Sequence, residues 1–167
     1  MKKPSPHRRT STTQPPCPGY DRAVELLARR EYSVRELQAK LALRGHATSA
    51  TTAVIDRLKE QYYQDDARFG GSLARRRMGQ GYGTQRIQTE LKSHGLDAAA
   101  IRTVLDELDA DWNALAREQL RRRYGARAAA DYTEQSARAA FLWRRGFDPA
   151  TVRLVTRAEV GDPESDD

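Results

Sequence analysis

The sequence predicts an all-α protein built from tandem helical repeats, and three observations predict it. The first is a spaced echo: Leu37, Leu41 and Gly45 recur 50 residues later as Ile87, Leu91 and Gly95. Leu142 and Gly146, after Phe141, restore the second half of that pattern. The register runs on past each glycine, with Val54, Ile55 and Leu58 matched by Val104, Leu105 and Leu108, and then by Val155 before the echo fades. The second observation is that no alternating apolar–polar run is long enough for a strand, whereas apolar residues recur at helical spacing. The third is composition: 31% charged and 38% hydrophobic residues, with few aromatics, suit slender amphipathic helices. A period near 50 residues belongs to architectures whose units bury their apolar faces by stacking on neighbours. The expectation is three tandem three-helix repeats in a short, curved, elongated solenoid with a continuous core.

Residues 1–18 are rich in proline, serine, threonine and basic side chains, and read as a disordered basic tail. Repeat one, residues 19–64, opens with a helix over Tyr20–Arg30 carrying Val24, Leu26 and Leu27. Ser33-Val34-Arg35-Glu36 is a capping box, since the serine oxygen suits the amide three residues on and the glutamate reaches back. Leu37 and Leu41 follow, and Gly45 ends that helix where a left-handed residue is wanted. A third helix over Ser49–Glu60 carries Val54, Ile55 and Leu58. Repeat two, residues 65–108, begins at Asp65 or Asp66, either of which can cap a helix bearing Phe69, Leu73 and Met78. Gly79, Gly81 and Gly83 read as a turn, Thr84 as the next cap, and Asp97 as the cap of a helix with Ile101, Val104, Leu105 and Leu108. No glycine or proline interrupts Asp97–Tyr124. A continuous or kinked rod is therefore favoured there over a break near Asp109–Asp111. Repeat three, residues 109–158, continues past Gly125 with a helix over Asp131–Arg145, closed by Gly146. Asp148-Pro149 then starts the last helix as N-cap and N1. Residues 159–167 form an acidic tail.

Composition also excludes function classes. No stretch of about 18 apolar residues occurs, so no membrane span is expected, and the N-terminal segment lacks the apolar centre of a secretory signal. The single cysteine, Cys17, allows no internal disulfide, so a reducing cytoplasm is the expected compartment. His7, His46 and His94 have no metal-ligand spacing; the latter two flank helix-ending glycines, where capping is the better reading. Gly79-Gln80-Gly81-Tyr82-Gly83 follows a helix rather than a strand and lacks a Gly-Lys-Ser/Thr, so it reads as an interhelical turn, not a phosphate loop. Asp65-Asp66 suits a helix N-terminus by its charge. No nucleophile stands beside a recognisable base, and neither an active site nor a cofactor is expected.

Charge is more informative. The net charge of +6 is concentrated at +4 in residues 1–19 and +4 in residues 111–156, against −4 in residues 157–167. A basic body favours polyanionic partners. Arg75-Arg76-Arg77, Arg121-Arg122-Arg123 and Arg144-Arg145 each fall near a helix C-terminus, where positive charge is also stabilising in its own right. Tyr32, Tyr63, Phe69, Trp112, Trp143 and Phe147 read first as core filling between stacked helices.

In their order along the chain, several segments resemble the RecX family of bacterial RecA-recombinase regulators. They are Leu26-Leu27-Ala28-Arg29-Arg30-Glu31-Tyr32-Ser33, Glu36-Leu37-x-x-Lys40-Leu41 with Gly45, Val54-Ile55-x-x-Leu58-Lys59-Glu60 and Tyr63-x-Asp65-Asp66-x-x-Phe69. Gly81-x-Gly83-x-x-Arg86-Ile87-x-x-Glu90-Leu91 and Leu142-x-x-Arg145-Gly146-Phe147 complete the series over about Asp21–Val155. The family's turn before its first acidic pair often reads Gly-Tyr; here it is Tyr62-Tyr63, and either fits a helix end. The resemblance implies a non-enzymatic protein that binds RecA, generally as its nucleoprotein filament. It also implies restraint of strand exchange, ATP hydrolysis and coprotease activity, hence a role in DNA repair and the SOS response. Separately, a monomer is expected, because three repeats can bury a core without a partner. Candidate contacts to the recombinase, or weakly to single- or double-stranded DNA, are Arg75, Arg76, Arg77, Arg86, Lys92, Arg121, Arg122, Arg123, Arg144 and Arg145. The alternative is a direct DNA-binding module that competes for single-stranded DNA.

Overall fold

The computed structural model describes residues 19–158; both tails, with Cys17 and His7, lie outside the described residues. Among the described residues there are nine helices and no strand. Unit one holds α1 (Tyr20–Leu27), α2 (Val34–Ala42) and α3 (Thr48–Glu60). Unit two holds α4 (Asp66–Gly79), α5 (Thr84–Ser93) and α6 (Ala98–Asp106), and unit three α7 (Trp112–Tyr124), α8 (Tyr132–Arg144) and α9 (Pro149–Ala158).

Ser33, Asp65, Asp97 and Asp148 cap helices as the sequence predicts, although the Glu36 carboxylate accepts from Arg30 instead of reaching back to the Ser33 amide. Ser33 Oγ accepts from the Glu36 amide at 3.1 Å, and Asp65, Asp97, Asp111, Asp131 and Asp148 each accept from amides two or three residues on. Burial pushes the Asp148 carboxyl up, but bonds from the Thr151 hydroxyl and from backbone amides outweigh it and hold the group below its ordinary range. The echoing glycines Gly45, Gly95 and Gly146 have φ of +81°, +95° and +79°, the left-handed conformation that closes a helix. Tyr62 stands in the same place after α3 with φ +59°, so a tyrosine here does the work of a glycine under strain. The Gly-Tyr wording of the family and this chain's Tyr62-Tyr63 are therefore not equivalent.

Two expectations are corrected. Residues 97–124 are not one rod: α6 ends at Asp106, Asp109 turns left-handed at φ +45°, and Asp111 caps α7 through the Ala114 amide at 2.9 Å. Aspartate tolerates that conformation better than most residues, so the break needs neither glycine nor proline. Nor is the core continuous. Unit one buries Leu37, Leu41, Val54, Ile55 and Leu58; unit two buries Phe69, Leu73, Ile87, Leu91 and Val104; unit three buries Leu120, Phe141, Leu142, Phe147 and Val155. Units two and three each enclose one cluster and unit one encloses two, because three short helices already surround these side chains. Trp112, at the start of α7, packs against the clusters of both units two and three.

Candidate functional site

Units two and three meet backbone to backbone. The Gly83 amide donates to the Arg145 carbonyl and the Gln85 amide to the Gly146 carbonyl, each at 2.9 Å. Carbonyls left over at the end of α8 thus satisfy amides left over at the start of α5, so the negative end of one helix dipole meets the positive end of the other. For that reason Thr84 does not cap α5: Gly83 is its N-cap, without a side-chain bond, and the neighbouring unit supplies the acceptors. Gly79 belongs to α4 rather than to the turn. The approach leaves no room for side chains. A Cβ on Gly83 would lie 2.4 Å from Phe147 Cα, and one on Gly146 would lie 2.5 Å from Arg86 Cβ. Arg145 adds a bond from Nη1 to the Gln80 carbonyl at 2.9 Å.

The ten candidate cations separate into groups here. Arg77 is held by Glu90 in a two-pronged pair of 2.7 and 2.6 Å and also reaches Gln80, which pulls the Glu90 carboxyl below its ordinary range. Arg121 and then Arg122 bond Glu118 at 2.7 Å each and lower its carboxyl to about 2. Arg86, Arg145 and Arg123 instead stack on aromatic rings. Arg86 and Arg145 lie 5.2 and 5.6 Å from the Tyr82 centroid, Arg145 and Arg123 lie 5.2 and 5.1 Å from Phe141, and Arg123 and Arg138 lie 5.5 and 5.1 Å from Tyr124. These contacts form an alternating ladder of guanidinium and ring from unit two into unit three, within cation–π range throughout. Arg75, Arg76, Lys92 and Arg144 are exposed and form no hydrogen bond or ion pair among the described residues.

One groove gathers part of this set. It measures about 490 Å³ and lies between α5 and the end of α8, lined by Arg77, Arg86 and Glu90 on one wall and Trp143 and Arg144 on the other. Lys92 lines a different and larger groove with Arg102, Asp97 and Trp112, and Arg121 lines a third with Arg117 and Val155. Arg76 sits in a small cleft against Arg30 and Glu31, beside unit one. The candidate cations thus share no single cleft.

Sequence reasoning passed over several residues that build this end of the molecule. Arg138 is fully buried in α8, bonding the Arg127 carbonyl at 3.1 Å and Glu134 at 2.9 Å. Arg127, the Ala130 amide and Arg138, in that order, hold the Glu134 carboxyl at about 2. The Glu134–Arg138 spacing of four residues on a helix was the available signal. The aromatics divide as well. Tyr32, Phe69 and Phe147 are buried, but Tyr63 is 51% exposed and Trp143 47% exposed. His94 is the residue that ends α5, and its ring meets Phe69 edge-on at 4.9 Å. Among the described residues no three His, Cys, Asp or Glu side chains converge as metal ligands would.

The described residues thus form a tandem helical scaffold with arginines braced on rings and carboxylates along separate grooves. Family models described as the first, second and third three-helix domains of RecX match residues 20–58, 65–105 and 109–156. The regulatory protein RecX of Xanthomonas axonopodis pv. citri is 42% identical over 141 residues, covering 84% of this chain and 87% of the relative. That of Stenotrophomonas maltophilia strain K279a is 43% identical over 141 residues, covering 84% and 86%. A crystal structure of RecX from Lactobacillus salivarius superposes with a TM-score of 0.72 at 20% identity, covering 86% of this chain and 95% of that one. The chain belongs to the RecX family of regulatory proteins, which are not enzymes. Among the described residues no helix is long and apolar enough to cross a membrane.

Proposed function

We propose that this chain binds the RecA recombinase as its nucleoprotein filament and restrains strand exchange, ATP hydrolysis and coprotease activity. It would act as a cytoplasmic monomer without a cofactor. The observation that carries the reading is the match of all three RecX domains along one chain, with exposed arginines in units two and three that form no ion pair among the described residues. Weak contacts on a rigid scaffold act together, because once one engages, the others meet their targets at high effective concentration. The guanidinium fork suits recombinase carboxylates and DNA phosphates alike. Arg75, Arg76, Arg77, Arg86, Lys92, Arg121, Arg122, Arg123, Arg144 and Arg145 are the proposed contacts.

The test is ATP hydrolysis by the recombinase of the same organism on single-stranded DNA, with this protein titrated below the recombinase concentration. A substoichiometric fall is expected. Reversing Arg75 and Arg76 together with Arg86 and Arg144 to glutamate should abolish it. Unchanged inhibition by that variant would overturn the residue assignment, and a fall only when free DNA is covered would favour simple competition for the strand.

A further inference from the structure

Trp143 stands out among the aromatic residues around the junction of units two and three. Its neighbours in α8, Phe141 and Leu142, are buried, while Trp143 is 47% exposed and lies outside the hydrophobic cluster of unit three. Tyr82, Phe141 and Tyr124 each carry two guanidinium groups within stacking range. No cation or ring stacks on Trp143 among the described residues, although Arg144 follows it and Arg86 faces it across the groove. An indole surface is thus left open where the chain had arginines at hand to cover it.

The charges around it are arranged to match. Glu90 is the one acidic side chain on the groove wall, and Arg77 neutralises it through two bonds. Arg86 and Arg144 are left as net positive charge, with Arg86 steadied by Tyr82 and so held with less rotamer freedom to lose. The remaining lining, Gln85, Thr89, Ser93 and Gly146, is uncharged. A partner that fits must offer a flat ring for the indole and anionic oxygens on either side.

We infer that this groove binds a nucleotide of single-stranded nucleic acid, the base stacked on Trp143 and the flanking phosphates held by Arg86 and Arg144. Stacking on an aromatic face tolerates any base, and the lining offers no fixed donor–acceptor code, so binding is independent of sequence. An acidic peptide would satisfy the arginines but leave the open indole unexplained. The inference deepens the proposed regulation by assigning the strand contact in the nucleoprotein filament to one groove, and its test contains no recombinase.

The full chain is titrated with an oligothymidylate at low salt while its tryptophan fluorescence is followed, and affinities are read from the anisotropy of a labelled oligomer. Saturable quenching is expected, and it should disappear in Trp143→Leu, where only the half-buried Trp112 still emits. Trp143→Leu should weaken binding about 5- to 100-fold. Each of Arg86→Gln and Arg144→Gln should lower the salt slope by about 0.7. Because Trp143 and both arginines lie at the surface, far-ultraviolet circular dichroism of all three variants should match the parent. Absence of DNA binding, or equal binding by Trp143→Leu and the arginine variants, would overturn the site. Quenching by polyglutamate as strong as by oligothymidylate would overturn it in favour of an acidic peptide. Either result, with ATPase inhibition intact, would leave recombinase regulation standing without this groove.

Discussion

Between units one and two the contact runs through side chains. Asp66 accepts from the Val34 amide at 3.0 Å and from Gln64 at 2.8 Å, and Gln64 also reaches the Tyr32 carbonyl. Arg68 grips Glu31 and the carbonyls of Tyr62 and Tyr63. Between units two and three the chain omits side chains at the closest approach, joins two helix ends through main-chain bonds, and flanks them with Trp112 and the arginine–aromatic ladder. The first junction is the more adjustable: its Arg68–Glu31 ion pair is partly exposed and contributes little, and its other bonds run through the side chains of Asp66 and the buried Gln64 rather than through two rigid helix ends. The second has no such slack. Units two and three should therefore behave as one stiff body to which unit one is more loosely joined, with the Trp143 groove and every candidate arginine on the stiff part.

The sharpest way to break this contrast is Gly146→Val. The side chain would strike Arg86 at the main chain and would sit in a left-handed conformation, so about 3 kcal/mol or more of stability should be lost. Urea unfolding gives the loss, and hydrogen exchange at the Gly83 and Gln85 amides should rise with it. A loss below about 0.5 kcal/mol would show that the backbone contact is not what joins these units. Asp66→Ala should have a smaller effect, about 1–2 kcal/mol, because it strips the acceptor from the Val34 amide and from Gln64. Its exchange signature should be confined to unit one and the start of α4, leaving α7–α9 protected as before; uniform loosening would contradict the division. Tyr62→Gly should act in the opposite direction. It relieves a left-handed tyrosine that is 82% exposed and so has little packing to lose, for a gain of about 1 kcal/mol and a rise of about 2–4 °C in Tm. A fall in Tm would mean that the exposed ring contributes more to unit one than its conformation costs.

The fold was largely legible because its signals are local. A serine or aspartate at a helix start announces itself beside an apolar period, and Gly45, Gly95 and Gly146 mark helix ends through their own backbone. The break at Asp109 was not legible, since its left-handed turn carries no glycine. Thr84 misled for a related reason: a good capping residue is unnecessary where another unit's carbonyls already meet the amides. The arginines were legible as a set and not as individuals. Nothing local distinguishes Arg77, locked to Glu90 thirteen residues away, from the exposed and unpaired Arg75 and Arg76 beside it.

By itself, then, the sequence determined the class of fold, the three-fold recurrence, most caps and the basic character of the surface, all of which depend on neighbours within a turn or two of helix. Only the tertiary structure decided which arginines are neutralised, which are braced on rings, and which face a groove beside an uncovered indole. Those outcomes depend on residues brought together across a junction, such as Arg145 against Gln80 sixty-five positions away. Pairing at that range is set by how the units dock, and no local pattern encodes it.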